Sequence, residues 1–499
     1  MDRRTFLKYS LATGVVIWIG NEIPSFLGMD ELEVGQLFAV KPAHAGTEIF
    51  PQSVASGDPQ SRGITLWTRV VPPQSGTVQV AFEVAKDAKF KAIALRGVAQ
   101  TDESKDYTLK VRLSKALQPY TTYYYRFIYE GSRSRTGRFK TLPAANAEIT
   151  NIRFGYINCQ DYTNGYYNSY RFLAAEDIDF VVFLGDYIYE TVGDTSFQFG
   201  VRPLQLPSGE STASTLADYR FLYQTYNADS DLQSVREQFA FITIWDDHEF
   251  ANDCFKVNAP DQFPFRKPEL RQAANQAWAE HTPTSIAFNA DNDPLASVQL
   301  YRTFKFGNLL ELVMTDERLY RDGPPCDDLD TQQQHYLTSK RYNLPDCPGR
   351  NDTARTMLGY EQRQWFLNQI SNSSRVWKIW GNEVMTMQLK VLSAFATQLL
   401  GQATPDLFVD MDQWDGYPAE RALLFQTLRA AGVKNFVTIT GDFHTFVTGY
   451  QKVNFDDPLD SPVGVEFVVG STTSSNLAEQ STPSSPSVGV VISSRAKYP

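Results

Sequence analysis

The sequence predicts two folding units: a small all-β sandwich, followed by an α/β domain whose strands are buried on both faces. Three observations predict this. Alternating runs of β-formers, punctuated by Gly, Pro, Asp and Ser, fill residues 46–148. From Asn151 the runs become short and almost continuously apolar, as in strands covered on both sides. Helix-like stretches, such as Tyr166 to Glu176 and Ala419 to Ala431, lie between several of them.

The first 45 residues read as an address. The chain opens Met1-Asp2-Arg3-Arg4-Thr5-Phe6-Leu7-Lys8, runs mostly apolar from Tyr9 to Leu27, and reaches Ala43-His44-Ala45 after a polar stretch. A charged start, an apolar centre and a small-residue cleavage site make a secretory signal. The Arg pair with Phe-Leu-Lys resembles a twin-arginine export signal. A retained membrane anchor is the competing reading, but Gly20, Asn21 and Glu22 cut the apolar run below the ~20 residues a span needs. Cleavage after Ala45 starts the mature chain at Gly46, and no later stretch is apolar enough to cross a membrane. The expectation is a periplasmic or secreted protein carried by the twin-arginine translocase, which exports folded chains, often with a cofactor already loaded.

Residues 46–148 follow as the β-sandwich. Ile64 to Val70, Val78 to Val84, Tyr107 to Leu113 and Tyr123 to Tyr129 alternate. Leu117, Pro119, Thr122 and Tyr123 are placed as in fibronectin- or immunoglobulin-like sandwiches. No cluster of reactive side chains falls here, so a structural or docking role is expected. Pro143 to Ala147 is the linker.

Residues 149–499 form the α/β domain. Phe154-Gly155-Tyr156-Ile157 ends at Asn158-Cys159-Gln160, and Phe180 to Leu184 ends at Gly185-Asp186. Phe241 to Trp245 ends at Asp246-Asp247-His248-Glu249, Val376 to Trp380 at Gly381-Asn382-Glu383, and Phe436 to Thr440 at Gly441-Asp442-Phe443-His444. Ligands bind beyond the carboxyl ends of strands in layered α/β folds, so five ends bring Cys, Asp, Asn and His to one rim.

Composition bounds the chemistry. Lys plus Arg is 46 and Asp plus Glu is 57, a net charge of −11 over 499 residues. A general nucleic-acid binder is basic, so no stable nucleic-acid partner is expected. An acidic protein repels anionic substrates unless a metal ion reverses the local field. Four Cys exclude a disulfide-dense scaffold, and five His mean that a metal site uses mostly oxygen ligands. Hard oxygen donors suit calcium, magnesium or manganese. Tyr or thiolate donors suit ferric iron or another Lewis-acidic transition metal. A carboxylate can bridge two metals, and two metals about 3.5–4 Å apart can clamp an in-line phosphoryl displacement.

These residues carry a resemblance. Gly185-Asp186-Tyr187-Ile188-Tyr189 is similar to the purple acid phosphatase pattern, with a bridging Asp and a Tyr on ferric iron. The whole chain resembles the alkaline phosphatase D family more closely. The resemblance rests on Ser53 to Pro59 with Leu66-Trp67-Thr68-Arg69, on Asn158-Cys159-Gln160, on Leu184 to Glu190, and on Trp245 to Glu249. Trp414 to Pro418 and Gly441 to His444 fit as well, so it spans roughly residues 50 to 475 in the right order. It implies a four-layer αββα metallophosphoesterase core and an exported phosphohydrolase that serves phosphate acquisition. It also implies ferric iron with calcium, two ions of the latter.

The resemblance implies roles position by position. Cys159, Tyr189 and His444 are implied iron ligands, and Asp186 is the bridging, catalytic carboxylate. Asp247 and Asp442 are implied calcium ligands, with Asn382 a further candidate. His248 would protonate the leaving group or hold phosphate, or instead make a supporting hydrogen bond. Arg318 would reach the phosphate or close a salt bridge beside the core. The reading of Cys159 as a buried thiol, or as a partner of Cys254, stays open. Cys326 and Cys347 flank a Pro- and Asp-rich loop, and in an exported protein they are an expected disulfide. Residues 471–487 are rich in Ser, Thr and Pro.

The implied activity is hydrolysis of small phosphate monoesters or diesters by direct attack of a metal-bound hydroxide. A dedicated phosphodiesterase on phospholipid, teichoic acid or nucleic acid is the alternative within the class. A calcium-stabilised envelope binding protein is the non-enzyme alternative, but calcium has no use for a thiolate.

Overall fold

The computed structural model describes residues 15–18, 31–38, 48–325, 328–330, 335–338, 342–344, 347–401, 403, 405–476 and 479. Among them are three six-stranded sheets. The first belongs to the sandwich. Ile93–Thr101, Val78–Ala85 and Thr122–Tyr129 pair antiparallel in that order, and Gly137–Lys140 pairs with Thr122–Tyr129. Val15–Trp18, inside the expected leader, adds an antiparallel edge to Ile93–Thr101.

The second sheet crosses the expected domain boundary. Phe154–Ile157, Phe180–Leu184 and Ala240–Ile244 pair parallel. Ala240–Ile244 then pairs parallel with Val54–Gln60, which continues antiparallel into Gly63–Arg69 and Thr108–Leu113. Half of the sandwich is therefore an extension of the α/β sheet. Alternation within each strand could not reveal this, because it reports burial and not the identity of the neighbouring strand. The shared sheet is reinforced by Arg302, which pairs with Asp58 at 2.9 Å.

The third sheet runs Arg302–Phe306, Leu310–Met314, Trp377–Asn382, Phe436–Thr440, Gly464–Val468 and Val447–Gln451. It packs face to face on the second. Side chains alternate across each strand with a period of two. Leu312, Met314, Ile379 and Ile439 join Phe180 and Leu184 in the core between the sheets. Val313, Trp380 and Phe436 point the other way, onto Phe366 of helix Tyr360–Ser371 and Leu424 of helix Pro418–Ala430. On the far side of the second sheet, Tyr219 and Leu222 of helix Leu216–Asn227 and Trp278 of helix Pro268–His281 cover the same core. The result is four layers, αββα. Burying each such aromatic or aliphatic side chain contributes ~1.5–3 kcal/mol, which favours this stacking over two separate half-covered sheets. No helix among the described residues is long and apolar enough to cross a membrane.

Candidate metal centre

The two facing sheets end together at one rim. After Phe180–Leu184 the chain turns through Gly185 at φ +101°, where an added Cβ would lie 2.4 Å from Cβ of Asp246. Only glycine allows the neighbouring strand end to come this close. Gly441 makes the matching approach from the third sheet, where an added Cβ would lie 2.9 Å from the Asn158 amide nitrogen and 3.1 Å from the Leu184 carbonyl oxygen. Beyond these turns Cys159, Asp186, Asp442 and His444 all take left-handed backbone, with φ of 48°, 56°, 58° and 51°. That conformation costs an L-residue of order 1–3 kcal/mol, and it persists where the surroundings over-determine it.

The turned-in side chains form three adjoining groups. Cys159, Asp186 and His444 make one, Asp186, Asp247 and His248 a second, and Asp246, Asp247 and Asp442 a third. Within each group the donor atoms lie within 4.8 Å of one another. Asp186 belongs to the first two groups and Asp247 to the last two. The Tyr189 hydroxyl donates to Asp186 Oδ2 at 2.9 Å and sits 3.3 Å from His444 Nε2.

Surrounding groups fix these donors. Nδ1 of His444 is 2.7 Å from the Ser475 carbonyl oxygen, which can only accept. Nδ1 therefore carries the proton, and in the neutral ring Nε2 presents a lone pair to Asp186, Tyr189 and Cys159. Ser474 Oγ donates to the Tyr189 oxygen at 2.6 Å. The amides of Thr472, Thr473 and Ser474 converge on the Cys159 carbonyl at 3.1–3.3 Å. Glu249 accepts from the backbone N–H groups of Asp186, Tyr187 and Asp246, at 3.1, 2.7 and 2.8 Å.

Charge at the rim is unbalanced. Burial pushes the Cys159 thiol well above its ordinary value, and the Asp186 and Asp442 carboxylates add to this. Burial also raises the Tyr189 phenol, with Asp186 again contributing. Burial raises Asp442 to about 6, with Arg318 opposing and Asp247 reinforcing the shift. For His248 burial favours the neutral ring, but Glu190, Asp247 and Asp186 outweigh it and hold the imidazolium well above its usual range. Nδ1 of His248 is 2.7 Å from Glu190 Oε2, and its ring stacks on Tyr189 with centroids 4.1 Å apart. A cleft of about 840 Å³ opens onto Asp186, Tyr189, Asp247, His248, Asp442 and His444.

Comparison with known proteins gives the family. The family model described as PhoD-like phosphatase matches residues 154–498, and that of the PhoD-like phosphatase N-terminal domain matches residues 37–143. Alkaline phosphatase D of Bacillus subtilis (strain 168) is 32% identical over 487 residues, which is 95% of this chain and 76% of that protein. The chain belongs to the PhoD-like phosphatase family. A solved structure of PhoD matches with a TM-score of 0.76 at 32% identity, over 86% of this chain and 78% of that one. Membership makes the protein a phosphoric ester hydrolase, and it sets aside the reading as an envelope binding protein.

Within this PhoD-like phosphatase, the structure brings together Cys159, Asp186, Tyr189, Asp247, His248, Asp442 and His444. Two expected site residues are not brought in. Arg318 is completely buried and does not line the cleft. Its guanidinium pairs with Asp246, with Asp412 at 2.6 Å and with Asp442 at 3.0 Å, so the salt-bridge reading replaces the phosphate contact. The Asn382 side chain is consumed locally. Its oxygen accepts from Trp414 Nε1 at 3.1 Å, and its amide donates to the Val384 carbonyl and to Thr440 Oγ1. Cys159 and Cys254 are free thiols, so they do not pair. Cys326 lies outside the described residues, and Cys347 is disulfide-bonded.

Sequence reasoning missed four contributors. Asp246 joins the third group, and its adjacency to Asp247 was the available signal. Glu190 and Glu249 sit inside the motifs already singled out, yet their supporting role follows only from the turn geometry. Ser474 lies in the Ser-, Thr- and Pro-rich stretch 471–487, with no local sign of its contact to Tyr189.

Metal ions fit this donor set. Asp246 Oδ2 is buried without a hydrogen-bond partner. The buried carboxylates of Asp186, Asp246 and Asp247, with the half-buried one of Asp442, outnumber the one buried guanidinium, Arg318, that touches them. Such an excess of negative charge is stable only with added cations or with protons. Asp186 shares one group with Cys159 and His444, and accepts from Tyr189, and shares a second group with Asp247, which suits two kinds of ion.

Proposed function

We propose that this protein is an exported, metal-dependent phosphoesterase that hydrolyses phosphate monoesters and diesters with ferric iron and calcium, two ions of the latter. Cys159, Asp186, Tyr189 and His444 would hold the iron. Asp186, Asp246, Asp247 and Asp442 would hold the calcium. The observation that carries this reading is that Asp186 belongs at once to the thiol–phenol–imidazole group and to a carboxylate-rich one. Bound there, the cations supply Lewis acidity, lowering the pKa of water and neutralising phosphate oxygens.

The protein's own residues supply the rest. Hydroxide adds directly to phosphorus, the P–O bond to the alcohol breaks, and no covalent enzyme intermediate forms. His248, kept protonated by Glu190, gives its proton to the departing oxygen. Residues 1–45 act as a twin-arginine leader, 46–148 as the sandwich domain and 149–499 as the catalytic domain, with the mature chain periplasmic or secreted.

The test is elemental mass spectrometry of the natively exported protein, with its N-terminus sequenced, alongside rates on p-nitrophenyl phosphate and bis(p-nitrophenyl) phosphate. Iron and calcium in one particle, with turnover of either substrate, support the reading. Zinc or manganese with turnover would keep the phosphoesterase and overturn the ligand assignment. Calcium alone would remove the iron site.

A further inference from the structure

A second hollow lies apart from the metal centre, and no residue lines both. Its volume is about 380 Å³, near the lower end of the range that small-molecule sites occupy. Tyr301, Tyr320 and Tyr360 line it, together with the buried side chains of Val298, Leu319 and Leu358. The rings of Tyr301 and Tyr320 stand at 70° to one another with centroids 6.0 Å apart, and Trp365 packs against Tyr301 at 4.9 Å. The third ring is brought in by Gly359. Its φ is +71°, and an added Cβ would lie 3.0 Å from Cβ of Tyr320. Glycine therefore lets helix Tyr360–Ser371 start against that residue.

Charge in this hollow is left unbalanced. Lys256 lines it but is matched to Asp322 at 2.9 Å, and neighbouring Arg363 is matched to Glu420 at 3.3 Å. Glu361 also lines it, is exposed, and has no hydrogen bond or ion pair among the described residues. Burial raises the phenols of Tyr301 and Tyr320, and the Glu361 charge adds to both shifts, so the rings stay neutral beside a carboxylate. Neutral aromatic faces attract cations through the ring quadrupole. Arg363 already lies 5.7 Å from the centroid of Tyr360 in this way. One free carboxylate offers too few charged oxygens for a hard metal ion, which takes several. We infer that this hollow binds an organic cation carrying a methylated ammonium group, with Tyr301, Tyr320 and Tyr360 as aromatic walls and Glu361 as the counter-charge. The methyl groups suit Val298, Leu319 and Leu358, and their spread-out charge suits the rings. The site is independent of the reaction at the metal centre.

The experiment is isothermal titration calorimetry of the full metal-loaded protein with choline and with its uncharged analogue, in which carbon replaces the quaternary nitrogen. Choline is expected to bind saturably and about tenfold more tightly than the analogue, the size of a partly desolvated cation–π contact. Tyr360→Leu and Glu361→Gln, both at exposed positions, are each expected to weaken choline several-fold, to about tenfold for the lost ring. Tyr360→Phe keeps the ring and is expected to bind like the unmodified protein. Rates on p-nitrophenyl phosphate are expected to be unchanged in all three variants. Choline binding that is absent, or unchanged in both Tyr360→Leu and Glu361→Gln, overturns the site. Equal affinity for the analogue overturns the choice of a cation. Inhibition of hydrolysis that follows choline occupancy and ignores Tyr360 places the cation in the metal cleft, which overturns the site as well. Capture on phosphatidylcholine vesicles that Tyr360→Leu abolishes assigns the ammonium to a lipid headgroup, whereas choline binding without capture assigns it to a free solute. Both keep the site.

Discussion

The imidazole of His444 is steered by the backbone of Ser475, whose carbonyl oxygen lies 2.7 Å from Nδ1. One hydrogen bond thereby decides which nitrogen faces the metal centre. The neighbouring Ser474 hydroxyl holds the Tyr189 oxygen in the same way, at 2.6 Å. Ser474→Ala is therefore expected to keep the fold and to weaken metal retention 10–100-fold, the usual effect of losing a supporting hydrogen bond to a ligand. Metal content after dialysis against a graded chelator measures it. Unchanged retention would separate Tyr189 from the metal.

Asp186 is the carboxylate common to two of the donor groups. Asp186→Asn keeps the volume and removes the charge. Hydrolysis is expected to fall by at least ~100-fold, with near-native circular dichroism and melting temperature. Surviving hydrolysis would sink the assignment of the whole rim.

The Glu190–His248 contact predicts a pH profile. The carboxylate raises the pKa of His248, so the proton donor stays loaded to higher pH. Activity on esters with a poor leaving group falls as pH rises through that value, because the donor is then empty. In Glu190→Gln the alkaline limb moves to lower pH. With a p-nitrophenyl leaving group, which needs little protonation, the shift shrinks. Identical profiles for both ester types would remove His248 as the acid.

Glu249 satisfies three buried backbone N–H groups on two different strand ends. Glu249→Ala leaves all three without an acceptor, each costing ~1–3 kcal/mol. A loss of about 3 kcal/mol or more is expected in denaturant unfolding, together with loss of activity as the Asp186 turn relaxes. A loss below ~1 kcal/mol would mean that water replaces the carboxylate.

Metal removal changes the pH dependence of stability. In the metal-free protein Asp442 titrates at about 6, against an ordinary 3.8. The folded state then binds more protons than the unfolded state between those values. Its stabilisation is complete below about pH 4 and is lost as pH rises through about 6. The chelated protein is expected to lose melting temperature over that window, and the metal-loaded protein to lack this slope. Equal slopes with and without metal would show that no cation neutralises the Asp442 group.

Much of this was legible without coordinates, and the legible part has a common cause. Strand periodicity, the glycine after a buried strand, and the chemistry of the side chain that follows are all local. They placed Cys159, Asp186, Tyr189, Asp247, Asp442 and His444 at strand ends. Residues that act through distant partners were not legible. Arg318 has no named salt-bridge partner until Asp412, 94 positions away, is brought against it. Ser474 has no visible purpose until Tyr189, 285 positions earlier, meets it.

By itself, the sequence determined which strands are buried on both faces and the kinds of donor at their ends, because burial and ligand chemistry are carried by individual side chains and their spacing. Only the tertiary structure decided that the sandwich extends the catalytic sheet through Val54–Gln60, that Asn382 is spent on Trp414, and that Arg318 neutralises carboxylates instead of meeting substrate. Those outcomes depend on pairing between remote segments, and hydrogen-bond and charge satisfaction is settled only when the partners meet.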